Sequence, residues 1–269
     1  MRFIHPLRTA LAVALLAVPA SADAGEGAFG WLSGDWYLTL GASGIVAPNF
    51  EGSKKYLFNA SPLISLGKAG NAVRFSSRND NISLALVDDG SVRAGLAGKF
   101  LWGRDNGDDA LRGLDPVRWG GEIGGFIEVY PLDWMRLRGE LRQGIRSHHG
   151  VVADIAADAF YDVTPDIRIS GGPRVSFASA SYFDAYYGVN ATESKASGLS
   201  QYDPGGGLKS TGVGGAITWK VTDPVTTSLF GEYSHLMGPA ADSSLVRERG
   251  DRNQFMFGMS ATYRFDFTM

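Results

Sequence analysis

From Gln254 to Phe267 the chain alternates without a break. Phe255, Phe257, Met259, Ala261, Tyr263, Phe265 and Phe267 fall on one face, and Gln254, Gly258, Ser260, Thr262, Arg264 and Asp266 fall on the other. Successive side chains of a strand point to opposite faces, so this segment has one apolar and one polar surface. An alternation this long, with aromatics on the apolar side, suits a strand between lipid and a wet or ion-paired interior. The pattern recurs along most of the chain, which predicts an all-β fold: a transmembrane antiparallel up-and-down β-barrel.

The start of the chain carries an export pattern. Arg2 and Arg8 precede or flank a compact apolar stretch from Thr9 to Val18, followed by Ala20-Ser21-Ala22 as a cleavage motif. Ala22-Asp23-Ala24 is a second one, so residues 1–22 are expected to be a signal peptide cleaved after 22 or 24. The apolar run is too short for a membrane helix. Losing it removes two arginines and no acid, moving the net charge from −3 to −5. That balance argues against nucleic-acid binding. Cysteine is absent, which excludes disulfide and thiolate chemistry. Residues 23–269 are expected to form one barrel domain in the outer membrane of a Gram-negative bacterium.

Turn signals alternate short with long. Short ones lie at Gly67 to Asn71, Asp88-Asp89-Gly90, Pro131-Leu132-Asp133, Asp162 to Pro165 and Thr222-Asp223-Pro224. Longer polar links run from Ala47 to Lys55, Gly103 to Pro116, Ser179 to Gly206 and Met237 to Asn253; brief ones lie at Arg78-Asn79 and His148 to Gly150. Short turns on one side and long loops on the other are the outer-membrane pattern, and both ends on the turn side require an even strand number. The expected strands number about 12, with about 10 as the fallback. They fall at 35–46, 56–66, 72–77, 80–87, 91–102, 117–130, 133–146, 151–162, 166–178, 207–221, 225–236 and 254–267.

Parity then assigns the faces. Met135, Leu137, Leu141 and Ile145 oppose Arg136, Arg138, Glu140, Arg142 and Arg146. A cation at the lipid midplane costs roughly 2–4 kcal/mol, so the charged face is the lumen. Its candidate charges are Arg118, Glu122, Arg136, Arg138, Glu140, Arg142, Arg168, Arg174, Glu232 and Arg264, accompanied by Glu128, Asp154 and Asp158. Either they interlock as a salt-bridged filling, or the arginines line an anion-favouring pore.

Catalytic and metal motifs are sparse, and neither an enzyme activity nor a cofactor is expected. Ser234 and His235 are strand neighbours and point to opposite faces, so they cannot meet as nucleophile and base. His148-His149 reads as a solvated pair, or as two metal ligands needing a third. Asp105, Asp108 and Asp109 lack the spacing of a calcium loop and read as a solvated acidic loop, or one bridging ions to lipopolysaccharide. The link from Ser179 to Gly206 holds Tyr182, Phe183, Tyr186, Tyr187 and Tyr202. So long a loop with clustered aromatics is expected either to plug the mouth or to present a contact surface.

Three stretches resemble the MipA/OmpV family of outer-membrane proteins, the MltA-interacting protein family. They are Gly41 to Leu66 with Ala47-Pro48-Asn49-Phe50-Glu51-Gly52-Ser53; Tyr182-Phe183 through Tyr186-Tyr187-Gly188-Val189 to Lys209; and Gly238 to Phe267 with Ala241-Asp242-Ser243-Ser244-Leu245-Val246. Gly103-Arg104 and Leu111-Arg112-Gly113-Leu114 are similar to its central loop. The family usually has proline where Ser244 stands and ends on an aromatic, whereas this chain continues to Thr268-Met269. The resemblance implies a non-enzymatic scaffold linked to peptidoglycan synthesis, with a lytic transglycosylase and a murein synthase as partners beside lipid and lipopolysaccharide. A narrow porin-like channel for small solutes is the alternative.

Overall fold

The computed structural model describes residues 34–268 apart from 69–74, 78–79 and 89, so the expected signal peptide lies outside the described residues. Among those described are eleven strands: β1 (Asp35–Pro48), β2 (Tyr56–Lys68), β3 (Ile82–Asp88), β4 (Val92–Leu101), β5 (Gly120–Leu132), β6 (Met135–Ile145), β7 (Val151–Thr164), β8 (Ile167–Ala178), β9 (Gly207–Lys220), β10 (Val225–Leu236) and β11 (Asn253–Thr268). All neighbours are antiparallel, in the order β2-β1-β11-β10-β9-β8-β7-β6-β5-β4-β3. The first and last strands are therefore side by side. Their register runs from Asp35↔Thr268 to Val46↔Phe257, and the Thr268 hydroxyl donates to Asp35 at 2.6 Å. The residues beyond Phe267 thus begin as ordinary sheet rather than as a loose tail.

The alternation is realised as expected. Leu229, Phe257 and Met259 face outward at about 60 % exposure, while Gln254, Ser260 and Thr262 of the same sheet are buried. Trp102, Trp119 and Phe255 stand exposed near the long-loop ends, and Trp134, Tyr161, Trp219 and Tyr263 near the short-turn ends. Two aromatic girdles with aliphatic wall between them are what a barrel needs at the two membrane interfaces. None of the described helices is long and apolar enough to cross a membrane.

One expected strand, 72–77, is described only in its second half. Residues 75–77 carry no strand, and 72–74 lie outside the described residues, as does the expected turn at Arg78-Asn79. β2 and β3 both run from the loop side to the turn side, so the connection between them has to return the chain. Its described parts do so inside the ring. Phe75 stacks flat on Phe160, with 4.8 Å between centroids and 2° between planes. The Tyr130 hydroxyl donates to the Phe75 carbonyl at 3.2 Å. Asp80 and Asn81 meet inward-facing side chains of β6. Eleven strands are thus described against the twelve expected, and the described residues of this connection find partners inside the sheet instead of ladder hydrogen bonds. Among the described residues β2 and β3 are not paired with each other, and the sheet is open at that seam.

Candidate functional site: the filled bore and its outer cap

The bore is organised by β6. Arg136, Arg138, Glu140 and Arg142 sit two residues apart and share the inner face; all are buried, Arg136 completely. Sheet register brings opposite charges beside them: Glu128 pairs across from Arg138, and Asp158 across from Arg136. Arg136 reaches Asp158 at 2.6 Å, Glu128 at 3.2 Å and both oxygens of Asp80 at 2.6 and 2.9 Å. Arg138 donates to Glu128 and, through Nε, to Glu140 at 2.6 Å. Arg142 holds Glu122 at 2.8 Å and also Asp154 and Glu140. Asn81 supplies a further donor to Glu140 at 2.7 Å.

Buried ion pairs repay desolvation only when the remaining donors and acceptors are also satisfied. Here most are shared between several partners, and the five named β5–β6 charges Glu122, Arg136, Arg138, Glu140 and Arg142 form one network. Arg174 extends it, bonding Asp158 and the carbonyl oxygens of Ala157 and Pro173. Glu232 lines an adjoining chamber of about 210 Å³ together with Asp80, Lys99, Asp154 and Lys209.

The other candidate charges lie apart. Arg168 clasps Asp162 at 2.6 and 2.9 Å and covers Phe160 near the turn side. Arg264 pairs with Asp266 at 2.8 Å and lies over Tyr37. Arg118 does not enter the lumen network: β5 begins at Gly120, and Arg118 is exposed on the preceding loop. Arg146 also escapes its expected lumen position. Its backbone is left-handed (φ 76°), and its guanidinium lies 3.8 Å from the Trp119 ring centroid. Parity stops predicting direction where regular strand geometry stops.

Over the loop-side mouth the long links fold together as a cap. It contains α1 (Ala180–Tyr187), α2 (Ala191–Ser197), α3 (Gly238–Asp242), a 3-10 turn at Asp109–Leu111 and a π-type turn at Leu245–Arg249. Asn190 opens α2 by accepting from the backbone of Thr192 and Glu193, while Glu193 returns to the Asn190 amide. Gly198 ends the helix with φ 79°. This capping box and closing glycine were readable signals for a helix inside what looked like a plain loop.

Of the loop aromatics, Tyr182, Phe183 and Tyr187 are buried together with Val152, Leu236 and Ala240, with Tyr186 packed against them. Tyr202 packs on a second cluster of Phe50, Leu111, Leu114, Val189, Leu199 and Leu245. Three of the five are therefore interior to the cap, and Tyr186 and Tyr202 are half-buried at its edge. Asp108, one of the acids expected on a solvated loop, caps the 3-10 turn and bonds Asn49 and Lys55. Among the described residues no cluster of three or more His, Asp or Glu could hold a metal.

Glu51 is the fastening between cap and barrel. It accepts from the Tyr182 and Tyr187 hydroxyls at 2.7 and 2.9 Å and from Lys209 of β9 at 2.9 Å. The surrounding protein would by itself raise the carboxyl of this part-exposed residue, but Lys209, Lys99 and the hydrogen bonds from Lys209 and Tyr182 prevail, holding it at about 2 against an ordinary 4.5. Burial, then the adjacent Glu51 charge, pushes both tyrosines well above their usual 10. His148 is not a solvated turn residue. It is buried, accepts from the Gly150 amide at Nδ1, faces Glu122 through Nε2 at 3.2 Å, and packs edge-on against Tyr182. Gly144 leaves room for it: a Cβ there would meet the imidazole at 2.2 Å. His235 pairs with Asn253, and Ser234 lines the chamber.

The Glu51 fastening gives a pH dependence. A carboxyl held below its unfolded value stabilises fully above about pH 4.5 and loses that contribution as pH falls through about 2. Protease protection of the cap is expected to stay constant from neutrality to about pH 5 and to decline below it. Glu51→Gln should flatten that decline. Loosening of the wild-type cap near neutrality would contradict it.

Among solved structures, the N-terminal barrel of Pseudomonas aeruginosa OprF is 12 % identical, covering 65 % of this chain and 96 % of that one, at a TM-score of 0.28. Neisserial surface protein A is 10 % identical, covering 86 % and 99 %, at 0.28. Pseudomonas aeruginosa OprG is 9 % identical, covering 87 % and 97 %, at 0.29. No curated protein sequence matches. A family model described as MltA-interacting protein MipA matches residues 40–265, and the chain belongs to that family.

Proposed function

We propose that this protein is a non-enzymatic, non-conducting barrel of the Gram-negative outer membrane that serves as a scaffold for murein-processing enzymes. The observation that carries the non-conducting part is the filled bore: the arginine–carboxylate network of β5–β7, the inserted residues Phe75, Asp80 and Asn81, and the cap occupy the path a solute would take. The family name, MltA-interacting protein, supports a lytic transglycosylase as the partner, and the resemblance extends this to a murein synthase. Partners in the periplasm would meet the short-turn side, where Leu132 and Val163 are exposed beside the Trp134–Tyr161 girdle.

A pull-down from detergent extracts tests the reading. The chain should retain a lytic transglycosylase even after the cap segment 179–206 is replaced by a short linker. Failure to retain any murein enzyme would remove the scaffold role. The roughly 210 Å³ charged chamber beneath the cap favours the second reading, a narrow channel for small solutes. Under that reading Arg138→Glu would alter ion preference.

A further inference from the structure

Among the described residues Arg146 is the single non-glycine residue with a left-handed backbone. Such conformations persist where the surroundings hold them, and they merit a functional reading when a side chain is re-aimed. Here the guanidinium leaves the inward face of β6 and lies on Trp119, which is half exposed. Extending the β4–β5 ladder from Leu101↔Gly120 places Trp102 opposite Trp119. Trp102 is 81 % exposed and meets Phe100 edge-on at 4.7 Å. Ile123 and Ile145 continue the exposed apolar wall below. Arg118, next to Trp119, is also exposed. The bore arginines 136, 138, 142 and 174 all have carboxylate partners, whereas neither Arg118 nor Arg146 has one among the described residues.

We propose that this rim of β4–β6 is a binding site for a phosphorylated glycolipid of the outer leaflet, lipid A, with Arg146 and Arg118 holding a phosphate and Phe100, Trp102 and Ile145 flanking an acyl chain. The aromatic girdle marks the depth of the headgroups. A guanidinium stays charged there, matches phosphate oxygens with its fork, and stacks on an indole without losing its outward N–H groups. The long-loop side is taken as the outward face, as in the barrel reading above; the murein partner plays no part.

Native mass spectrometry of the purified full chain tests it, with hexa-acylated diphosphoryl lipid A, its dephosphorylated form and phosphatidylglycerol as probes. Arg146→Gly keeps a residue that accepts the left-handed backbone, and Arg118→Gln keeps bulk, so heat-modifiable gel mobility should confirm both variants fold. The wild type should retain diphosphoryl lipid A, with each variant weakening retention about tenfold and Arg146→Lys falling between. Equal retention by the double variant would overturn the site. Equal binding of dephosphorylated lipid A would reduce it to apolar contact and overturn it too. Equal binding of phosphatidylglycerol would remove the glycolipid assignment.

Discussion

Arg136→Met is expected to destabilise the folded barrel by roughly 3–5 kcal/mol, the range for breaking a buried ion pair. The side chain is fully buried and serves Asp80, Glu128 and Asp158 at once. Methionine fills much of the volume but leaves three carboxylates without their shared cation. The loss comes mainly from those stranded charges, so adding Asp80→Asn and Asp158→Asn should recover part of it. Urea unfolding from lipid vesicles measures both. The single variant should also release the inserted stretch, because Asp80 is its ionic anchor and Phe75 loses the guanidinium 4.8 Å from its ring. A change below 1 kcal/mol would mean that water, not Arg136, compensates these acids.

Phe183→Ala is expected to act as strongly but locally. Phe183 has no exposure and packs between Tyr182 and Tyr187, at 5.8 and 5.9 Å between ring centroids. Truncating a buried phenylalanine costs about 3–5 kcal/mol. The cap has its own core, distinct from the bore network, so the loss should appear as cap opening and not as barrel unfolding. Added protease should then cut within 179–206 in intact vesicles while heat-modifiable mobility stays normal. Unchanged protection would mean the helices are held by their polar links alone, such as Ser243 to the Tyr187 carbonyl and Arg104 to the Tyr186 carbonyl.

Period-two alternation made most of the wall legible, because lipid on one side and charge on the other leave one register per strand. Eleven of the expected spans coincide with observed strands within three residues at either end. The inward set on β6 followed from the same rule. Three features did not follow. The inserted Phe75 and Asp80 belong to a segment whose partners, Phe160 and Arg136, are far away in sequence, and alternation does not encode that. Arg118 and Arg146 sit where the strand ends and parity stops. Glu51 and His148 acquire their roles only when the cap closes over the barrel, bringing Tyr182 to both. The helix at 191–197 does carry a local signal, its Asn190–Glu193 capping box.

The state of the bore also separates the two readings of function. Opening the cap alone leaves the β5–β7 charges interlocked, so Phe183→Ala should remain as electrically silent as the wild type. Planar-bilayer recording of the purified, correctly folded chain is the most direct test. Silence at neutral pH is the expected result. Stepwise single-channel current from the unmodified protein would contradict the account.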